Sequence, residues 1–144
     1  MKLLLSEILQ KVSNAKTKAQ KIKLLQEHNS AALRSILIAS YDSSAECLLP
    51  EGDVPYTPNE APKGIEHTYL DREFRQLRLF YRGGGSQLTP LRREALFIQL
   101  LEGLHAEEAE VICLAKDKCL NKKYRITRQV IEEAFPQIVW GKRS

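Results

Sequence analysis

A chain of 144 residues, 43% of them hydrophobic, is long enough for one domain with a real core and too short for two. No apolar run approaches a membrane span, MKLLLSEILQ is interrupted by Glu7 too soon for a signal sequence, and Cys47, Cys113 and Cys119 lack metal-like or disulfide-framework spacing, so a cytoplasmic protein with reduced thiols is expected. The net charge of +4 is segregated, with seven cations against two acids over 1–41, one against seven over 42–71 and fourteen against nine over 72–144, which favours a polyanion as partner for the basic segments.

Leu4, Ile8 and Val12, with Leu5 and Leu9 beside them, predict an amphipathic helix from Lys2 to about Ser13. Thr17 and Gln20 make a capping-box pattern for a second helix to about His28, with Ile22 and Leu25 inward. Lys16, Lys18, Lys21 and Lys23 crowd its start, the wrong end for cations by the helix dipole, which reads either as a ligand-facing cluster or as a tolerated cost of a few tenths of a kcal/mol to about 1. Ser30 caps a third helix, Ala31 to about Tyr41, whose run of Leu33, Ile36, Leu37 and Ile38 predicts a central position.

From residue 42 to 67 the helical period fails, and Pro50, Pro55, Pro58 and Pro62 rule out regular elements. This long acidic loop reads either as an ordered strap over one end of the bundle or as a docking strap for a protein partner. In the second case Leu49, Glu51, Asp53, Val54 and Tyr56 carry the contact.

A fourth helix is predicted from Thr68 to Tyr81, with Leu70, Phe74, Leu77 and Tyr81 as its core stripe. At the α-helical angle Arg72, Arg75, Arg78 and Arg82 fall at about 200°, 140°, 80° and 120°, making one flank arginine with only Asp71 to offset it. Arginine's fork geometry suits phosphate. Gln76-Leu77-Arg78-Leu79-Phe80 also resembles the QLxLF peptide by which proteins dock on bacterial sliding clamps.

Gly83, Gly84 and Gly85 end this helix without forming a P-loop. Thr89-Pro90 opens a fifth, with Leu91, Ala95, Ile98 and Leu101 as its inner face and Leu96, Phe97 and Leu100 widening it, and Gly103 closes it. Glu107, Glu108 and Glu110 sit in the first turns of a sixth helix, where the dipole favours them. Six cations (Lys116, Lys118, Lys122, Lys123, Arg125, Arg128) and one acid, Asp117, then lead to a seventh helix capped by Thr127 and stapled by Ile126 and Ile131. Such a basic turn at a helix N-terminus suits a phosphate.

No nucleophile-base pair, paired carboxylates or metal spacing stands out around His28, His67 or His105, so neither catalysis, a cofactor nor a metal is expected. The pattern describes an all-α chain: one compact bundle of six or seven helices over 1–136, the Pro-rich acidic loop within it, and a tail from 137 to 144.

The order of features resembles the N-terminal all-helical DNA-binding domain of ATP-dependent DNA ligases, closest to that of T-even phages. The likeness lies in the opening helix, the break at Ser13 to Lys16, the Thr-Lys-x-x-Lys helix ending near Glu27-His28-Asn29, and the apolar helix that follows. At the other end it lies in Lys116-Asp117, a turn, and a helix closing on Phe135-Pro136. The chain also looks like small proteins of T-even-like marine cyanophages. The ligase resemblance implies contacts to duplex phosphates by Lys116, the 121–125 turn, Thr127 and Arg128. Asn121 stands where the ligase turn has glycine, and no K-x-D-G nucleophile motif occurs, so ligation is not expected.

The resulting expectation is a phage-encoded, non-catalytic protein that grips duplex phosphates with little sequence preference. Its site would comprise Arg72, Arg75, Arg78, Arg82, Lys116, Lys118, Lys122, Lys123, Arg125, Thr127 and Arg128. The alternative is an adaptor docking on a replication or transcription component such as RNA polymerase or a sliding clamp.

Overall fold

A computed structural model describes residues 3–52, 54–60, 67–82 and 88–141. The fold is all-α. Its helices are α1 (Leu5–Asn14), α2 (Lys18–Glu27), α3 (Ala31–Tyr41), α4 (Leu70–Glu73), α5 (Pro90–Gly103), α6 (Ala106–Lys116), α7 (Leu120–Lys123) and α8 (Arg128–Ala134), with a 3₁₀ segment, Phe74–Phe80, continuing α4. Among the described residues there are no strands, only isolated bridges, and no helix is long and apolar enough to cross a membrane.

Local chemistry sets the helix starts. The Thr17, Ser30, Thr89 and Thr127 hydroxyls accept the N–H groups of Gln20, Leu33, Arg92 and Val130, each satisfying a free first-turn amide. The middle of the core is α3, whose Leu33, Ile36 and Leu37 are fully buried against α6. α1 packs on α2 and α6, α2 on α8, and α5 on α6.

Glu108, in the first turn of α6, is buried. Its carboxylate accepts the N–H of Leu5 at 2.9 Å and of Leu70 at 3.0 Å, the first residues of α1 and α4. One acid therefore caps two helices of distant sequence, and burial raises its pKa even though both amides act to lower it.

The fourth helix is not the α-helix expected through Tyr81. After one turn it tightens into the 3₁₀ segment, because its end is pinned: Leu48 N–H donates to the Phe80 carbonyl at 2.8 Å and Arg82 N–H to that of Glu46 at 2.8 Å. At 2.0 Å rise per residue instead of 1.5, seven residues reach roughly 3.5 Å further, toward that anchor. The period of three also changes the inward set, since Phe74, Leu77 and Phe80 now share a face and Phe80 meets Phe97 edge-on at 5.0 Å, whereas Tyr81 falls outside the stripe. Leu77 and Phe80, both buried, are the residues that a clamp-binding peptide would have to offer.

α5 corrects a second expectation. Leu91 is 78% exposed and Ala95 is exposed, and the buried stripe is Phe97, Leu100, Leu101 and Leu104, at helical spacing over the part of α5 that reaches α6. The expected helix stop at Gly83, Gly84 and Gly85 lies outside the described residues.

The described part of the Pro-rich stretch, 42–52 and 54–60, is an ordered strap. Thr57 N–H donates to the Glu102 carboxylate at 2.8 Å, Asn59 Nδ2 to the Glu102 carbonyl at 3.3 Å, and Thr68 N–H to the Gly103 carbonyl at 2.7 Å. Of its proposed protein-binding residues, Leu49 is buried, and Val54 and Tyr56 pack half-buried against the core, so these three face inward. Glu51 is exposed, and Asp53 lies outside the described residues. Past α8, Ile138 and Trp140 pack on the core and Gly141 N–H reaches the Asp42 carboxylate at 3.2 Å.

Candidate nucleic-acid interface

The basic stretch from 116 to 128 splits into an inward and an outward half. Lys116, the last residue of α6, has a side chain only 2% exposed, and its ammonium donates to the carbonyls of Pro50 at 2.7 Å and Gly52 at 3.1 Å and to Asp117 Oδ1 at 2.6 Å. Gly52 N–H returns to the Asp117 carboxylate at 3.3 Å, closing the strap onto the end of α6.

Lys118 goes further. It has φ 55°, the left-handed conformation that a helix-terminating glycine usually supplies, and its N–H reaches Ala115 O at 3.1 Å while Cys119 N–H reaches Leu114 O at 2.8 Å. A Schellman ending is thus built with lysine in the glycine position. The strain is offset by the ammonium, which donates to three carbonyls, those of Ala39 at 2.9 Å, Asp42 at 2.9 Å and Ala45 at 2.7 Å. Burial lowers its pKa, and Asp42 and Cys47 oppose that shift. Lys116 is buried and Lys118 half-buried, and both ammonium groups are taken up by backbone carbonyls, so both leave the set expected to touch phosphate.

The outward half meets the start of the chain. Arg125 N–H donates to Ser13 Oγ at 2.9 Å, and the Arg125 carbonyl accepts the ammonium of Lys21, docking the α1–α2 turn on the extended link after α7. Tyr41 Oη fixes the next residue by donating to the Ile126 carbonyl at 2.7 Å, and burial pushes its pKa up to about 12. Between turn and link lies a cleft of about 620 Å³ lined by Lys16, Lys21, Lys123 and Arg125 together with Gln10, Ser13, Asn14 and Ala15. Its described lining has four cations and no carboxylate. Lys123 forms an ion pair with Glu110, whose hydrogen bond raises the lysine pKa, while Lys122, on the adjoining turn α7, is exposed.

Thr127 and Arg128 have internal duties. The Thr127 hydroxyl accepts Val130 N–H at 3.3 Å, and the Arg128 guanidinium binds Glu132 at 3.0 Å and lies 4.5 Å from the centre of the Trp140 ring. Lys18 is likewise paired, with Glu133.

Arg72, Arg75, Arg78 and Arg82 are exposed as expected, but they do not join the cleft. Arg75, Arg78 and Arg82 line a separate groove against α3, and the two openings share no residue. The 11 expected phosphate contacts therefore divide into the four arginines, the outward group Lys122, Lys123 and Arg125, the inward pair Lys116 and Lys118, and Thr127 and Arg128 with their own partners. Lys16 and Lys21 were missing from the expected set, although their crowding at the unfavourable end of α2 was a legible signal.

Among the described residues no group of His, Cys, Asp and Glu could hold a metal ion. Fold and cleft together define an all-helical protein with a cationic opening between its first turn and its last. Residues 8–122 match the model of a family of unknown function, DUF6433, and the chain belongs to that family. No curated protein and no solved structure matches it.

Proposed function

We propose that this chain is a non-catalytic DNA-binding protein that holds the phosphates of a duplex in the cleft of Lys16, Lys21, Lys123 and Arg125, with Lys122 beside it. The observation that supports this reading is the composition of the cleft: four cations from two chain segments about 100 residues apart, polar neighbours, and no acid in its described lining. Gaps of this kind suit an anion, because each phosphate that replaces solvent releases condensed counterions. Lysines and an arginine without a base-reading element grip backbone and leave sequence unread. The ligase-like order of helices at the two chain ends agrees with this reading, since it is those ends that meet at the cleft.

The test is duplex binding by fluorescence anisotropy across salt. With three phosphates contacted, the slope of log K against log salt is about −2.7, and affinity falls about 40-fold between 50 and 200 mM. A fall of less than about threefold overturns the phosphate mechanism. The triple variant Lys16→Ala, Lys122→Ala, Arg125→Ala is expected to lose retention of DNA while melting like the parent.

A further inference from the structure

A second opening lies between α3 and the 3₁₀ segment, with a volume of about 620 Å³. Ile38, Ala39, Ala45, Phe74 and Leu77 make an apolar floor, and Arg75, Arg78 and Arg82 stand around it. We propose that this groove docks a short acidic, apolar segment of a partner protein.

Three features point to that occupant. The first is charge. Among the described residues no carboxylate lines the groove, Arg75 and Arg78 make no ion pair, and Arg82 reaches the exposed Glu46 at 2.9 Å, a partner that an incoming carboxylate can exchange with. The second is the floor. A nucleic-acid backbone has nothing to lay on aliphatic Ile38, Ala39, Ala45 and Leu77, whereas apolar side chains flanked by Asp or Glu satisfy floor and rim together. The third is size and rigidity. Phe74 to Phe80 provides a wall about 12 Å long at 2.0 Å per residue, which matches roughly two turns of a docked helix.

The walls are fixed in advance. Lys118 holds the carbonyls of Ala39 and Ala45, both lining residues, and the far wall is pinned through Leu48 to Phe80 and Arg82 to Glu46. A preformed groove spares the partner the cost of ordering it. The half-buried Lys118 thus acts on this site by shaping it.

The experiment is selection of a random peptide-display library on the intact chain, followed by affinities of the enriched peptides. Enriched sequences combine apolar residues with Asp or Glu, their Kd weakens at least about tenfold in the Arg75→Glu, Arg78→Glu variant, and Lys16→Ala, Arg125→Ala leaves it unchanged. Absence of enrichment over a control protein, enriched peptides without acids, or indifference to the two charge reversals overturns the proposal. So does loss of duplex binding in the charge-reversed variant with its melting temperature intact. Where the double reversal lowers the melting temperature, Arg78→Gln alone decides: a weakened Kd upholds the groove and an unchanged Kd overturns it.

Discussion

Lys116 and Lys118 stand within ten residues of Lys122 and Arg125, carry the same charge and belong to the same basic stretch, yet the two pairs do opposite work. The first pair is folded into the protein, where its ammonium groups serve five backbone carbonyls and Asp117. The second pair is left in solvent, Arg125 lining the cationic cleft and Lys122 on the adjoining turn. What separates them is the geometry of α6's ending. Where the chain turns left-handed at Lys118, the side chains at 116 and 118 reach back across the strap and the end of α3, and the single turn α7 then carries the following residues outward. Counting cations in a sequence therefore overstates the charge on offer to a ligand.

The contrast predicts an ordering of variants. Lys118→Met or Lys116→Met leaves buried carbonyls without a donor and is expected to cost about 3 kcal/mol in urea unfolding, with duplex affinity of the folded fraction preserved. A cost below about 1 kcal/mol would put both lysines back among the surface cations. Lys118→Gly sharpens the point, because it relieves the left-handed backbone and still destabilises if the three carbonyl contacts dominate.

Glu108→Gln is next. An amide can accept only one of the two helix-starting N–H groups well, so a loss of about 2 kcal/mol is expected. The native pKa of Glu108 is raised, so the folded chain keeps this proton to higher pH than the unfolded chain does. This group's contribution therefore falls as pH climbs from 4.5 through the raised native value, and Glu108→Gln should flatten that part of the stability profile.

Tyr41→Phe removes one buried hydrogen bond, worth about 1 kcal/mol. Unfolded tyrosine ionises near 10.0 and the native one near 12, so stability falls as pH rises between those values, and the variant should lose that share of the alkaline decline. The smallest effect belongs to the outward group: Lys122→Ala with Arg125→Ala should shift unfolding by no more than about 0.5 kcal/mol while weakening duplex binding, the reverse of the inward pair.

The local signals were legible. All four Ser and Thr caps form where the sequence places them, α3 is central, and the described part of the strap packs as one of its two readings anticipated. What was not legible depended on distant contacts. The 3₁₀ segment arises from anchoring to residues 46–48, which no periodicity in 70–81 encodes. Leu91 follows helical spacing yet lies beyond the reach of the core. Lys116 and Lys118 find their carbonyl acceptors 64 to 79 positions away, and nothing about a lysine says how far its ammonium must reach for a carbonyl. The one available hint was an α6 ending without glycine.

The pairing of α2 with α8, and of Leu5 with Glu108 across 103 positions, has a consequence for synthesis. As the polypeptide leaves the ribosome, its first helices emerge long before some of the surfaces that cover them, so the face of α2 that meets α8 waits uncovered until that helix is made. Assembly from one end to the other is not available to such a topology. A nascent chain arrested before residue 128 should remain protease-sensitive throughout, and resistance should arrive in one step once α8 clears the exit tunnel.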